Sequence, residues 1–393
     1  MLNERVEFNP QQEDDFSAYP ATPAVFLLRG DAEAAEPYIS KTANLRRRLE
    51  RLLGKLAEGS RRLNLRSQTR WIEFTQTGSD FAAGFLLYRL LRQVLPDSYE
   101  RRLRLRPAPL IKFHMSNPYP RASVTTRIGR TGSESCYYGP FPSRAAAEKL
   151  ANDVLDFFKM RRCVENLNPD PAFPGCIYSE MKMCLAPCFK GCTDEEYASE
   201  VGRVRDWFDS AGDSLVREIA SARDQAAANL EFESAAALHD RVEKVKLVAR
   251  EVPEIVQRLD RLVGVIVQPS AVPECVDFFA LRAGRIVGSV KFSIAPPEHT
   301  KSQSMESRIG QALQEVIAEP SGNMTEIEEH LAILKRWFYR SNRAGEIFLA
   351  DEKGNLPMRR LVRGVGRVLR GEKISDAELQ KPGQLGPAEG VSH

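Results

Sequence analysis

The chain has 393 residues, of which 42% are hydrophobic and 28% charged, with a formal net charge of +3. At roughly 150 residues per domain it has room for two or three domains, each able to bury its own core. No run approaches the ~18 uninterrupted apolar residues of a membrane span, which excludes a membrane-spanning helix. The first twenty residues are polar and acidic, lacking a basic n-region and an apolar h-region. A secretory leader is therefore not expected, residues 1–20 read as a loose leader, and the cytoplasm is the default compartment. Seven cysteines, five of them between Cys163 and Cys192, argue against a secreted disulfide scaffold and draw attention to a metal.

In chain order, the apolar Ala24–Leu28 stretch predicts a short strand and the segment 37–40 a second one. Leu45, Leu49, Leu52, Leu53 and Leu56 fall at helical spacing over 44–56. A third strand is expected at 71–75, and Ser79 caps an apolar helix from Phe81 to Leu95, stopped by Pro96. A small β-β-α-β-α unit results. Beyond it, 111–113 reads as a strand, 137–142 as an aromatic turn, and Ser143 as the cap of a helix to about Lys159. The segment 163–192, with Pro169, Pro171, Pro174 and Pro187, reads as loop. A helical hairpin is expected over 213–249, with its turn at Asn229–Glu233. The period then becomes strand-like, with 282–284 at a hairpin turn, followed by helices at about 305–319 and 324–339. A strand at 346–350 and a basic helix over 357–370 complete the order, and the Gly-, Pro- and Ser-rich end reads as disordered. The fold class is a multidomain α/β (α+β) protein.

Charge is unevenly spread. Residues 41–70 carry ten Lys or Arg against two Glu, and 100–130 carry eight against one. Arg46, Arg47 and Arg51 in the first stretch, and Arg101, Arg102 and Arg104 in the second, suit phosphate contacts, since a guanidinium forks onto two oxygens. A solvated helical face is the plainer reading of the same charges. A steep loss of affinity with salt would separate the two.

Four ordered blocks carry a family resemblance: AVF…YISKTANLRRRL, YYGPFPSRAAAEKL, CLAPC…DEEYASEV and NLEFESAAALHDRVEKV. Together they resemble the N-terminal half of the UvrC family of excinuclease ABC, the nuclease component of bacterial nucleotide excision repair. No segment resembles that family's C-terminal RNase H-like nuclease or its helix-hairpin-helix module. The resemblance implies a GIY-YIG-like nuclease domain over 21–112, an α/β linker with a cysteine cluster over 113–212, and a UVR hairpin over 213–247. An α+β domain over 255–370 and a disordered tail over 371–393 follow.

GIY-YIG chemistry needs a nucleophilic water, a divalent cation, a tyrosine hydroxyl for proton transfer and cationic groups for the transition state. By resemblance, Tyr38, Lys41 and Arg48 are the second-strand tyrosine, the lysine and the helix arginine. Three positions depart from the pattern. Phe26 stands where the first tyrosine is expected and has no hydroxyl, Ser40 replaces a glycine, and Leu87 stands where the metal-binding glutamate is expected. A further family tyrosine falls at Leu52. Leucine offers no oxygen to a hard cation, so Mg²⁺ or Mn²⁺ is not expected at this site and the 3′-incision chemistry reads as lost. Asp80 shares Leu87's helical face but lies roughly 10 Å away along the axis.

The resemblance also makes Cys163, Cys176, Cys184 and Cys188 ligands of an iron–sulfur cluster, with Cys192 a fifth candidate. Four soft thiolates suit [4Fe–4S] or Zn²⁺ alike, and the spacing leaves both open, as well as no metal at all. In the hairpin, alanines at 226–228 and 235–237 permit close packing, leaving Leu230, Phe232, Leu238 and Val242 to dock on a partner hairpin of the same kind, unless the hairpin packs only within this chain; the resemblance implies a UvrB-like helicase subunit as that partner. The leading expectation is thus a repair protein that binds DNA and that helicase. Its alternatives are an active short GIY-YIG endonuclease, or a Zn–Cys/UVR adaptor of a protease or kinase. The basic stretches and the strand pair at 24–40 disfavour the adaptor.

Overall fold

A computed structural model describes residues 2–12, 15–31, 35–56, 61–129, 135–295, 303–314 and 323–372. Strands β1 (Glu4–Glu7), β2 (Ala24–Arg29), β3 (Tyr38–Thr42) and β4 (Trp71–Gln76) form an antiparallel sheet in the order β1-β4-β2-β3. The strand β2 is inner and covered on both faces, which explains its unbroken apolar run. Helix α1 (Leu45–Leu53) starts where the Asn44 side chain accepts from Arg47 N–H at 3.0 Å, and it buries Leu45, Leu49, Leu52 and Leu53. Helix α2 (Asp80–Val94) starts at Ser79, whose hydroxyl accepts from Ala82 N–H at 3.0 Å. The β-β-α-β-α order of the sequence is therefore present, with β1 added to it. Residues before 20 are not a loose leader: β1 pairs with β4, and Phe16 and Tyr19 are buried against Phe74 and the α1 leucines.

After α3 (Tyr99–Leu103), the middle domain folds around β5 (Leu110–His114), β6 (Ala122–Thr125), β7 (Ser135–Gly139) and α4 (Arg144–Leu155). Two expectations change here. Tyr137 and Tyr138 are strand rather than turn, because they pair with β5, and the Ser143-capped helix ends at Leu155, short of Lys159. After a four-residue helix α5 (Ile177–Glu180) come α6 (Asp194–Asp209), α7 (Asp213–Ala228) and α8 (Phe232–Arg250). Between α6 and α7 the chain turns at Gly212, φ +93°, where a Cβ would stand 2.8 Å from that of Ala249. The next strand, β8 (Gln257–Arg258), returns to β7 and closes a sheet in the order β6-β5-β7-β8.

The C-terminal domain is a third antiparallel sheet, β11-β10-β9-β12, from β9 (Gly264–Pro269), β10 (Cys275–Arg282), β11 (Arg285–Ser293) and β12 (Glu346–Leu349). Ala283 and Gly284, both at positive φ, make the two-residue turn between β10 and β11. Helices α9 (Met305–Gln314), α10 (Met324–Phe338) and α11 (Met358–Leu369) cover it. The part of the α9 expectation at 315–319 and tail residues 373–393 lie outside the described residues.

What joins the N-terminal unit to the rest is α2, apolar on two sides. Ala83, Leu87, Leu90 and Leu91 face Val25, Leu27 and Ile39, while Phe81, Phe85 and Tyr88 pack on Phe279, His330 and Trp337. Tyr88 and Tyr99 both donate to the buried Glu329 carboxylate, at 2.8 and 2.7 Å.

Candidate functional site

Alternation along β2 and β3 sends Phe26, Tyr38 and Ser40 toward α1, and Val25, Ile39 and Lys41 toward α2. On the α1 side, Arg48 Nη2 donates to Tyr38 Oη at 2.8 Å, leaving the phenol its own proton to give. The Arg48 Nε is buried without a hydrogen-bond partner among the described residues. Phe26 is fully buried, its ring centroid 6.0 Å from that of Tyr38. Lys41 is not gathered with this pair. Its ammonium bonds the Asp80 carboxylate at the start of α2, and Asp80 also accepts from Arg340 Nη1 at 2.5 Å. Burial alone would push the Asp80 carboxyl up, but the hydrogen bond and charge of Lys41, with those of Arg340, hold it below the usual range. Leu87 is half-buried in the apolar layer with Val25, Leu27 and Ile39, and Leu52 is in the core on the opposite face. Sequence spacing does not indicate the Lys41–Asp80–Arg340 triad, since Arg340 lies 260 residues beyond Asp80.

The six arginines expected to meet phosphate divide. Arg47, Arg51, Arg101 and Arg104 are exposed. Arg102 is exposed but paired with Glu36. Arg46 is a structural tie instead: its Nε and Nη2 donate to the carbonyls of Tyr19 and Ser17, each at 2.9 Å, pinning the N-terminal segment to α1.

Cys163, Cys176, Cys184 and Cys188 line one small pocket, floored by Leu167 and Pro187. Left-handed backbone at Gly175, Ala186 and Lys190 folds the loop around it. Arg161 Nη1 stands 3.2 Å from Cys163 Sγ, and Ala186 N–H points at Cys184 Sγ at 3.3 Å. Burial pushes the Cys184 thiol up to about 11, the Ala186 N–H draws it back, and the neighbouring cysteines add to the rise. As the side chains lie, no group of three or more His, Cys, Asp or Glu among the described residues is arranged to hold a metal ion. Cys192 lies near Cys188, while Asp194 and Glu196 add to the burial that raises its thiol.

In the α7–α8 hairpin, Leu230 and Phe232 are 71% and 68% exposed at the tip. Val242 is 1% exposed in the main core, and Leu238 packs against that core. The expectation that all four dock on a partner is thus corrected. Contacts of α8 with α4, and a hydrogen bond from Arg241 Nη2 to the Phe157 carbonyl just past the end of α4 at 3.2 Å, turn the Val242 side inward.

Middle sheet, cysteine loop and helical hairpin follow one another in a recognisable order. Residues 108–207 match the UvrC/Cho excinuclease middle domain, and residues 213–248 the UvrB/UvrC (UVR) motif. The chain is a relative of the UvrC proteins. It is 29% identical over 230 residues to the UvrABC system protein C of Alcanivorax borkumensis, covering 58% of this chain and 37% of that protein. With the protein of the same name from Rickettsia africae it shares 26% identity over 272 residues, covering 68% and 42% respectively. The chain thus spans about two fifths of the length of the curated relatives it matches. No solved structure matches it. Among the described residues no helix is long and apolar enough to cross a membrane.

Proposed function

We propose that this protein works in nucleotide excision repair, binding DNA and docking a UvrB-like helicase subunit through the α7–α8 hairpin, with a GIY-YIG-like N-terminal unit that makes no 3′ incision. The observation that carries the docking is the exposed Leu230–Phe232 tip, placed within the UVR motif. An apolar pair that no core claims is what a helix-in-groove contact requires. Loss of incision is supported by Leu87, an apolar packing residue where the family's metal carboxylate is expected, and by Phe26, which lacks a hydroxyl. Tyr38 and Arg48 then serve as a packing and phosphate-binding pair. DNA contact falls to the exposed Arg47, Arg51, Arg101 and Arg104, whose loss lowers the salt slope of binding by about one per phosphate contact.

The cysteine pocket belongs to the same reading. Its donors are four sulfurs, with the Arg161 guanidinium and the Ala186 amide beside two of them, and that donor set fits a [4Fe–4S] cluster or Zn²⁺ held by Cys163, Cys176, Cys184 and Cys188. Such a group would supply a cross-link to a loop with few apolar contacts of its own.

One observation favours an active enzyme instead. Asp80 puts a carboxylate beside Lys41, and a metal there would exploit it, although Lys41 and Arg340 already neutralise that acid. Nicking of a lesion-bearing duplex loaded with the helicase subunit, in Mg²⁺ and in Mn²⁺, tests both readings. Silence is expected. Nicking by the wild type that Arg48→Ala abolishes would overturn the inactive reading and turn attention to Asp80.

A further inference from the structure

Between α2 and the C-terminal domain lies an open cavity of about 600 Å³, apart from the Tyr38–Arg48 pair and from the cysteine loop. Its walls are unusual in their charge. Arg89 and Arg92 enter from α2, Arg285 from β11 and His330 from α10. Arg89 has no hydrogen-bond or ion-pair partner among the described residues. Arg285 keeps Nε and Nη1 buried without a hydrogen bond among those residues, its carboxylate neighbour Glu326 standing 3.9 Å away.

His330 fixes the character of the site. It is 2% exposed, and its Nδ1 accepts from Ile286 N–H at 3.1 Å. An Nδ1 that accepts cannot carry the ring proton, so the neutral imidazole holds it on Nε2, which is a donor. Burial, then the charges of Arg285, Arg92 and Arg89, push this histidine down to about 3, so the ring stays neutral at working pH. That Nε2–H is buried and unpartnered among the described residues, with Glu326 Oε1 at 3.8 Å, beyond hydrogen-bond reach. Glu326 also faces Arg92 at 3.5 Å and is the acid lining the cavity. Glu329 stands behind Tyr88 and is occupied by the hydroxyls of Tyr88 and Tyr99. Three guanidinium groups and one imidazole N–H thus face one carboxylate, an excess of two positive charges and several unmet donors.

We propose that this cavity binds a terminal phosphate, carried by a free nucleotide or by the end of a DNA strand. Donors arriving from three separate elements suit a tetrahedral dianion better than a planar carboxylate, and guanidinium forks match phosphate oxygens. A cavity of this size accepts a ligand as large as a mononucleotide. Phe85 and Tyr88 supply an aromatic floor.

Calorimetric titration of the full chain with inorganic phosphate, dAMP and deoxyadenosine tests the proposal. Two oligodeoxynucleotides of one sequence, with and without a 5′-phosphate, complete the set. Phosphate and dAMP bind and deoxyadenosine does not. Arg89→Gln, an exposed change that leaves the core intact, weakens dAMP binding about tenfold, as loss of one charge-assisted contact does. Arg285→Gln weakens it at least as much. A free nucleotide as the natural source gives dAMP binding with no preference between the oligonucleotides. A strand end gives tighter binding of the phosphorylated one. Either result supports the site. Deoxyadenosine binding as well as dAMP, no binding by any phosphate probe, or an affinity that Arg89→Gln leaves unchanged overturns it.

Discussion

The hairpin offers the sharpest separation of stability from recognition, because neighbouring apolar residues on it face opposite ways. Val242, 1% exposed, sits in the main core, while Phe232 is 68% exposed. Val242→Ala removes two buried carbon groups worth about 0.8 kcal/mol each in transfer, and the cavity left behind brings the expected loss to about 2–3 kcal/mol. Phe232→Ala uncovers nothing in the free protein and should change stability by no more than about 0.5 kcal/mol. Leu230 adds an internal control. Its backbone is left-handed, φ +63°, a conformation that penalises any Cβ. Leu230→Gly should therefore raise stability by up to about 1 kcal/mol while deleting the side chain offered to a partner. Urea unfolding reads the first quantity, and calorimetric titration with a UvrB-like helicase subunit reads the second. We expect Phe232→Ala and Leu230→Gly to lose about 2 kcal/mol of binding, roughly thirtyfold, with Val242→Ala binding as wild type wherever it is folded. Stability losses of equal size at Val242 and Phe232, or a Leu230→Gly protein that binds normally, would refute the assignment of faces.

Three further outcomes follow from particular contacts. The Asp80 carboxyl is held below its ordinary 3.8, so its stabilisation is complete above that pH and fades as pH falls through the lower folded value. Asp80→Asn should lower stability at pH 7 by no more than about 1 kcal/mol, given an acid half open to solvent, and the gap from wild type should close in acid unfolding curves below pH 3.8. A Cβ at Gly78 would stand 2.2 Å from the Pro269 carbonyl oxygen, so Gly78→Ala should cost about 2 kcal/mol or more in thermal unfolding by prising the N-terminal unit from β9. Metal content by elemental analysis should fall to background in Cys184→Ser and persist in Cys275→Ser, since Cys275 begins β10, outside the cysteine pocket. Equal loss in both would count against the pocket.

Much of the local architecture is determined by residues close in sequence. The leucines of α1, the caps at Asn44, Ser79 and Ser143, and the Ala283–Gly284 turn act through neighbours a few positions away, so periodicity and side-chain chemistry suffice to place them. Helix α6 carries a signal of the same kind, the Thr193–Glu196 capping box, which the proline-rich loop ahead of it obscures. The short strands β1 and β8 carry none, because each exists only through a distant partner. Residue types at the candidate sites are legible in the sequence: Tyr38, Arg48 and the four cysteines stand out as chemistry. Which of them meet is not. Pleat alternation around the packed sheet sends Lys41 away from Tyr38, packing of α8 on α4 turns Val242 inward, and the N-terminal segment takes Arg46 for its own carbonyls. The cavity joining Arg89 to Arg285 and His330 draws on three elements, and no sequence spacing marks it. A side chain's type is set by one position in the chain. Its face and its partners are set by whatever packs against it, and that only the tertiary structure decides.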